Sequence, residues 1–396
     1  MNIRELFYQH IAQTSSEPLA IEIERAEGIY LYSPDGKSYM DIISGISVSN
    51  VGHCHPKVVQ AIQEQAAKYM HVLVYGEMIQ SPQVLLAQRL ASLLPDKLNT
   101  VYFVNSGTEA VEGAIKLAKR FTGRTEMLSC FNAYHGSTQG AMSLMGNDSY
   151  TRAFRPLIPD CTRIRFGNIA DIEQITDSTA AFVVEVVQGE AGVRFADRNY
   201  WRQVRERCNQ TGALLIFDEI QTGFGRTGTL FAFEQTGIVP DILLLAKAMG
   251  GGMPIGAFIS SPEIMHCLTH NPVLGHMTTF GGHPVCCAAA LASLDIIEGE
   301  QLYKTVDQKG KLFQSLLKDL PRLKEFRQQG LMIALEWGDT SLNFKIIHHC
   351  IEQGLLADWF LFCDTSTRIA PPLIISEEEI KQACNIISNV VTNLCS

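Results

Sequence analysis

The chain has no run of eighteen apolar residues, about the length a helix needs to cross a bilayer, so no membrane span is expected. Charged residues are few, 18% of 396, and the net charge is -9 with no basic block. A polyanion-binding surface needs clustered Lys and Arg, so nucleic acid is not an expected partner. The cysteines, eleven of them, are odd in number and show no framework spacing. In so long a chain that pattern fits reduced thiols and a cytoplasmic location better than disulfides. Residues 1–10 lack a basic stretch leading into an apolar one, so no secretory signal is expected there. Internal repeats and low-complexity linkers are also missing.

What is present is a folded-globular balance, 46% hydrophobic, over a length too great for one simple core. The most informative stretch is Asp241-Ile-Leu-Leu-Leu-Ala-Lys247-Ala-Met-Gly-Gly-Gly252. A short continuous apolar run reads as a strand buried on both faces, and a lysine at its end faces a crevice. Desolvation there lowers the pKa of an amine and makes it a better nucleophile. Lys247 is therefore a candidate Schiff-base lysine, set against a snorkelling surface lysine beside a glycine turn. The glycines after it leave room for a backbone or a bound ring.

Other stretches supply further parts. Thr100-Val-Tyr-Phe-Val-Asn105 reads as a strand, and apolar residues at 111, 114, 115 and 118 then follow helix spacing. The Ser106-Gly107-Thr108 turn between them opens the helix, where free N–H groups and the dipole favour phosphate. An ordinary N-cap is the other reading. Tyr134 stands in a polar, aromatic loop, either to stack on a planar ring or to join the core. Ala180–Glu185 and 213–218 are strands ending on acids, Glu185 and Asp218. Ligands sit beyond such strand ends in open α/β sheets. A buried acid is rarely unpaired, so Asp218 calls for a cationic or N–H partner. Gly52-His53-Cys54-His55-Pro56 has metal-ligand residue types, but no second cluster matches it, and a turn before a helix at 56–70 is preferred. A hairpin is expected around Asp35-Gly36, a strand at 330–337, and a last helix behind a Ser376–Glu379 capping box.

A buried lysine, a strand-end acid 29 residues before it, a phosphate cup and an aromatic are together what pyridoxal 5'-phosphate (PLP) requires. The chain resembles the class III (ω-amino acid) PLP aminotransferases, among them the acetylornithine, ornithine and 4-aminobutyrate aminotransferases. The likeness covers nearly the whole chain. It rests on Gly52-His-Cys-His-Pro56, Asn105-Ser-Gly-Thr-Glu-Ala110, Tyr134-His-Gly136, Glu185-Val-Val-Gln-Gly-Glu190, Asp218-Glu-Ile-Gln-Thr-Gly-Phe-Gly-Arg-Thr-Gly228, Lys247-Ala-Met-Gly-Gly-Gly252, Thr278-Thr-Phe-Gly-Gly282 and Arg368-Ile-Ala-Pro-Pro372.

The resemblance implies an α/β chain of fold type I: a large domain with a mostly parallel seven-stranded sheet and a smaller α+β domain. It implies a large PLP-binding domain at 44–300, a small domain at 301–396, and residues 1–43 joining the latter. Lys247 would hold the cofactor and shuttle the proton, and Asp218 would pair with the pyridine nitrogen. Gln221 would bond the 3'-oxygen, while Tyr134 and Ile220 would cover the two ring faces. Ser106, Gly107 and Thr108 would hold the phosphate, with Glu185 as polar support. Thr279 would reach the phosphate of the partner subunit, so a homodimer is implied. Arg368 would bind the substrate α-carboxylate, gated by Glu190.

Two positions depart from those relatives. Ser137 stands where they usually carry an arginine that grips a carboxylate, and a hydroxyl is much the weaker contact. Ile46 stands where ornithine enzymes place a tyrosine, which argues against free ornithine. The expected activity is ping-pong transfer of a terminal (ω) amino group to a 2-oxo acid, 2-oxoglutarate or pyruvate. The donor would be N-acetylornithine or a related ω-amino acid. Alternatives are a 4-aminobutyrate-type aminotransferase, or an aminomutase or racemase on the same scaffold. A catalytically silent regulator of this fold is countered by the intact Lys247 and Asp218.

Overall fold

Alternating side chains of a strand face opposite ways, and the central strands here are buried at every position. Such strands must be covered on both faces, and the computed structural model, which describes residues 2–395, shows how. A seven-stranded sheet runs in the order Thr100–Val104, Gly256–Ser260, Ile242–Leu245, Leu214–Asp218, Thr179–Glu185, Glu126–Cys130, Cys161–Ile164. All neighbours pair parallel except around Gly256–Ser260, which is antiparallel to both of its own. On one face Phe182, Val184, Leu215 and Phe217 pack with Trp201 and with Leu294 of the helix Pro284–Gly299. On the other, Val183, Ile216, Leu244 and Phe258 pack with Val111, Ala114 and Ala118.

Those last three belong to the helix Gly107–Thr122, which Ser106 caps by accepting from the Glu109 N–H and Gly123 ends in the left-handed conformation. The helix lies close on the sheet because residue 113 is glycine. A Cβ there would stand 2.3 Å from the Phe258 ring.

The C-terminal third builds a separate antiparallel sheet, Glu325–Gln329, Met332–Glu336, Cys363–Ile369 and Asp358–Phe360. A further sheet joins the two ends of the chain: Arg25–Glu27, Tyr30–Tyr32 and Ser38–Asp41 run on to Leu355–Leu356. The second and third strands form the hairpin around Asp35-Gly36, with Gly36 at φ +84°. Ile29, Met40 and Ile42 accordingly share a core with Leu335, Trp337, Ile369 and Ile387. The last helix, Glu377–Cys395, starts from a reciprocal cap in which Ser376 Oγ accepts from the Glu379 N–H and Glu379 Oε2 accepts from the Ser376 N–H.

At Gly52–Pro56 the imidazoles have separate partners. His53 Nε2 lies 2.8 Å from Asp41 Oδ2, and His55 caps the helix Pro56–Lys68 through its Nδ1.

The substitution Gly113→Ala tests the close approach. Overpacking against Phe258 is expected to cost about 1–3 kcal/mol, offset by roughly 0.5–1 kcal/mol of gained helix propensity, so the thermal midpoint should fall. A raised midpoint would show that the ring yields freely.

Candidate active site

The register of three parallel strands sets the site. Asp218 is the Cα partner of Glu185 on one side and of Leu244 on the other, three residues before Lys247. Two acids and an amine therefore emerge at adjacent carboxyl ends and line one cavity of about 450 Å³. Lys247 adopts φ +47°, a left-handed conformation that costs a non-glycine residue of order 1–3 kcal/mol and is a mark of functional sites.

Each buried acid has a specific answer. Asp218, 4% exposed, faces His135 Nδ1 at 2.7 Å through Oδ2 and accepts the Ile220 N–H at 3.0 Å through Oδ1. Burial opposes a charge on His135, and the Asp218 hydrogen bond and charge outweigh it, so its pKa is raised. Glu185 accepts from the N–H of Tyr134 and of Gly189, at 3.1 and 2.9 Å. Burial, reinforced by Asp218, pushes its carboxyl up to about 7. Burial lowers the Lys247 pKa, with Glu190 pulling the other way. A share of neutral amine, the nucleophilic form, is thereby favoured.

At the far end of the cavity the helix Gly107–Thr122 points its first turn inward, and Ser106, Gly107 and Thr108 line the wall. The leading N–H groups of a helix have no intrahelical acceptor and suit an anion. The cup closes only with glycines: a Cβ on Gly107 would sit 2.9 Å from Ile220, and one on Gly136 2.4 Å from Thr108 Oγ1. Tyr134, Ile220 and Gln221 complete the lining. Gly189 is needed for Gln221, whose Oε1 would lie 1.7 Å from a Cβ there.

Tyr134, Glu190 and Lys247 also line a second, larger cavity of about 1190 Å³, together with Arg368, Ile46, Asp358 and Trp359. Arg368 and Glu190 form a buried two-point pair, Nη1–Oε1 and Nη2–Oε2 both 2.9 Å. Burial raises Glu190, but Arg368 and Lys247 outweigh it and hold the carboxyl below its ordinary value. Ser137 Oγ is 3.2 Å from Tyr134 Oη at the wall of the first cavity. Thr279 lines neither cavity and is exposed. Three of the arginines that follow Ser137 in sequence are engaged elsewhere: Arg155 with Asp148, Arg163 with the Met145 carbonyl and Arg165 with Asp171. Arg194 pairs with Glu325.

Sequence reasoning passed over His135 and Asp358. His135 had a signal, since it adjoins Tyr134 and Asp218 called for a partner. Asp358 had none.

A fold type I sheet with this set of side chains defines a PLP-dependent transferase. The family model described as Aminotransferase class-III matches residues 11–391. The chain belongs to the class III aminotransferases, which use PLP. The acetylornithine aminotransferase of Methanocaldococcus jannaschii is 41% identical over 387 residues, spanning 95% of this chain and 94% of that one. That of Bacillus cereus is 38% identical over 390 residues, spanning 96% and 97%. Among solved structures, the ornithine aminotransferase from Toxoplasma gondii, described with partial occupancy of PLP at its active site, aligns at TM-score 0.90 and 29% identity over 98% of this chain and 94% of that one. An (S)-enantioselective omega-transaminase from Thermomicrobium roseum aligns at 0.91 and 30% over 100% of each.

The residues present suit the cofactor. An acid with spare acceptor capacity, an amine, a helix N-terminus and glycines that a Cβ would displace all face one volume.

Removing the imidazole leaves Asp218 with the Ile220 N–H alone. In the cofactor-free protein His135→Asn is expected to lower stability by about 1–3 kcal/mol. Because the folded-state pKa of His135 is raised, its ion-pair share is full below pH ~6.5 and fades as pH rises through the folded value. Unfolding of both proteins across pH should show that narrowing, and a pH-independent gap would contradict it.

Proposed function

We propose that this aminotransferase takes the terminal amino group of N-acetylornithine or a related ω-amino acid and passes it to a 2-oxo acid, 2-oxoglutarate or pyruvate. The observation that carries the reading is the placing of Lys247 and Asp218 at adjacent buried strand ends of one cavity. Bound there, PLP supplies an electron-accepting ring that takes up the negative charge left when a proton leaves the carbon bearing the amine.

The side chains would then act as follows. Lys247 holds the cofactor through its amine and, once released, takes and returns that proton, for which a lowered pKa suits it. Asp218, steadied by His135, keeps the ring nitrogen protonated. Gln221 takes the 3'-oxygen, and Tyr134 and Ile220 cover the ring. Ser106, Gly107 and Thr108 take the phosphate. Glu185 ties the Tyr134 and Gly189 loops together beneath the site. Glu190 covers Arg368 while a donor presents its terminal amine, and yields it to the carboxylate of a 2-oxo acid.

Donors of this kind are supported by the named activities of the relatives. Ser137 and Ile46 make the grip on a distal carboxylate weak and disfavour free ornithine. A homodimer belongs to the reading: Thr279 stands exposed between the exposed apolar Met277 and Phe280, as a residue serving a partner's site would. We assign residues 44–300 to the large domain and 301–396, with 1–43, to the small one, in a cytoplasmic protein.

Lys247→Ala is expected to lower kcat by about 10²–10⁴-fold or more, measured with N-acetylornithine and 2-oxoglutarate. Turnover at the native rate would contradict the mechanism, and turnover of the donor without a 2-oxo acid would favour an aminomutase. Ser137→Arg should raise kcat/KM for donors with a distal carboxylate about tenfold, the worth of one charge-assisted contact. No change across a donor panel would mean that the carboxylate is gripped elsewhere.

A further inference from the structure

Arg368 sits among more carboxylate than one guanidinium can use. Both of its terminal nitrogens are taken by Glu190. On its flank, Asp358 Oδ1 lies 3.1 Å from Nε, a charge contact in which neither atom makes a hydrogen bond among the described residues. The two residues are direct cross-strand partners, on Asp358–Phe360 and Cys363–Ile369. The rest of that short strand also holds the arginine: the Trp359 carbonyl accepts from Nη2 at 2.6 Å, and the Phe360 ring lies 4.7 Å from Cζ. Arg368 and Glu190 are 3% and 7% exposed.

Asp358 differs from an ordinary structural acid. Buried carboxylates normally accept backbone N–H groups, and among the described residues Asp358 Oδ1 makes no hydrogen bond. Among the described residues its partner is the guanidinium alone. Burial pushes its carboxyl up to about 7, Arg368 lowers it and Glu190 adds to the rise. With Glu190 on the fork, Asp358 is thus a redundant and costly second acid. With Glu190 gone, it would be the one acid left beside a buried cation.

We propose that Asp358 is a positioning residue for Arg368, holding the guanidinium by its Nε flank so that the fork stays in place when Glu190 gives way to a 2-oxo acid. Asp358 lines the larger cavity with Arg368 and Glu190, but the fork, not Asp358, meets the substrate. The inference rests on the reading that Arg368 receives the carboxylate of the 2-oxo acid. It makes the two half-reactions unequal. A donor that presents its terminal amine leaves Glu190 on the fork and has little need of Asp358. A 2-oxo acid needs a bare yet fixed Arg368.

In ping-pong kinetics the kcat/KM of donor and acceptor are separable. With holoenzyme carrying Asp358→Asn, the ratio of kcat/KM for 2-oxoglutarate to that for N-acetylornithine should fall about tenfold, chiefly through KM of the 2-oxo acid. Rates are taken per bound cofactor, so partial misfolding moves both values together and leaves the ratio alone. Asp358→Glu, which keeps the charge, should lie closer to the native ratio than Asp358→Asn does. An Arg368→Gln variant separates the two readings. If it lowers the ratio and Asp358→Asn does not, the role of Asp358 is overturned while that of Arg368 stands. If Arg368→Gln leaves the ratio unchanged, the carboxylate reading fails and the proposal with it.

Discussion

The parallel register of Thr179–Glu185, Leu214–Asp218 and Ile242–Leu245 is the constraint on which the rest depends. Because these strands are buried on both faces, their carboxyl ends are the first place where polar groups can emerge. Glu185, Asp218 and Lys247 do so side by side, lining one cavity. Unpaired charge in such a place is expensive, so the two acids recruit partners that pin the loops around them. His135 fixes the Tyr134 turn against Asp218, and Glu185 fixes it again from the Tyr134 N–H.

The same logic ties the C-terminal sheet to the site. Arg368 reaches from Cys363–Ile369 to Glu190, which follows the strand of Glu185. Arg226, fully buried, bonds the Leu331 and Pro371 carbonyls on one side and Ser44 and Asn50 on the other. Burial pushes its pKa down to about 9, with the Asp41 charge pulling the other way. The mouth of the site is therefore built from both ends of the chain and its middle.

Much of this was legible in the residues. Apolar runs that end on Asp218 or just before Lys247 announce buried strands, and 3.6-residue spacing announces the helix after Ser106. Two strands of the large sheet escaped. Cys161–Ile164 is a short edge strand carrying an arginine, and Gly256–Ser260 is a five-residue insertion between prolines 254 and 262, so neither shows a period. Glu325–Gln329, the hairpin partner of Met332–Glu336, is polar throughout except Phe326. Pairings escaped for another reason. His135 and Asp218 are 83 residues apart, and Asp358 meets Arg368 only through an antiparallel register. Such contacts depend on how strands line up, which no local pattern encodes.

The central claim is that Lys247, at the end of its buried strand, is the amine that carries PLP. Borohydride reduction of the holoenzyme, which fixes the cofactor to the amine holding it, followed by peptide mapping tests this directly. The pyridoxyl label is expected on the peptide containing Lys247 and on no other. A label on a different lysine, such as Lys116 or Lys345, or a reduced holoenzyme with Lys247 unmodified, would contradict it.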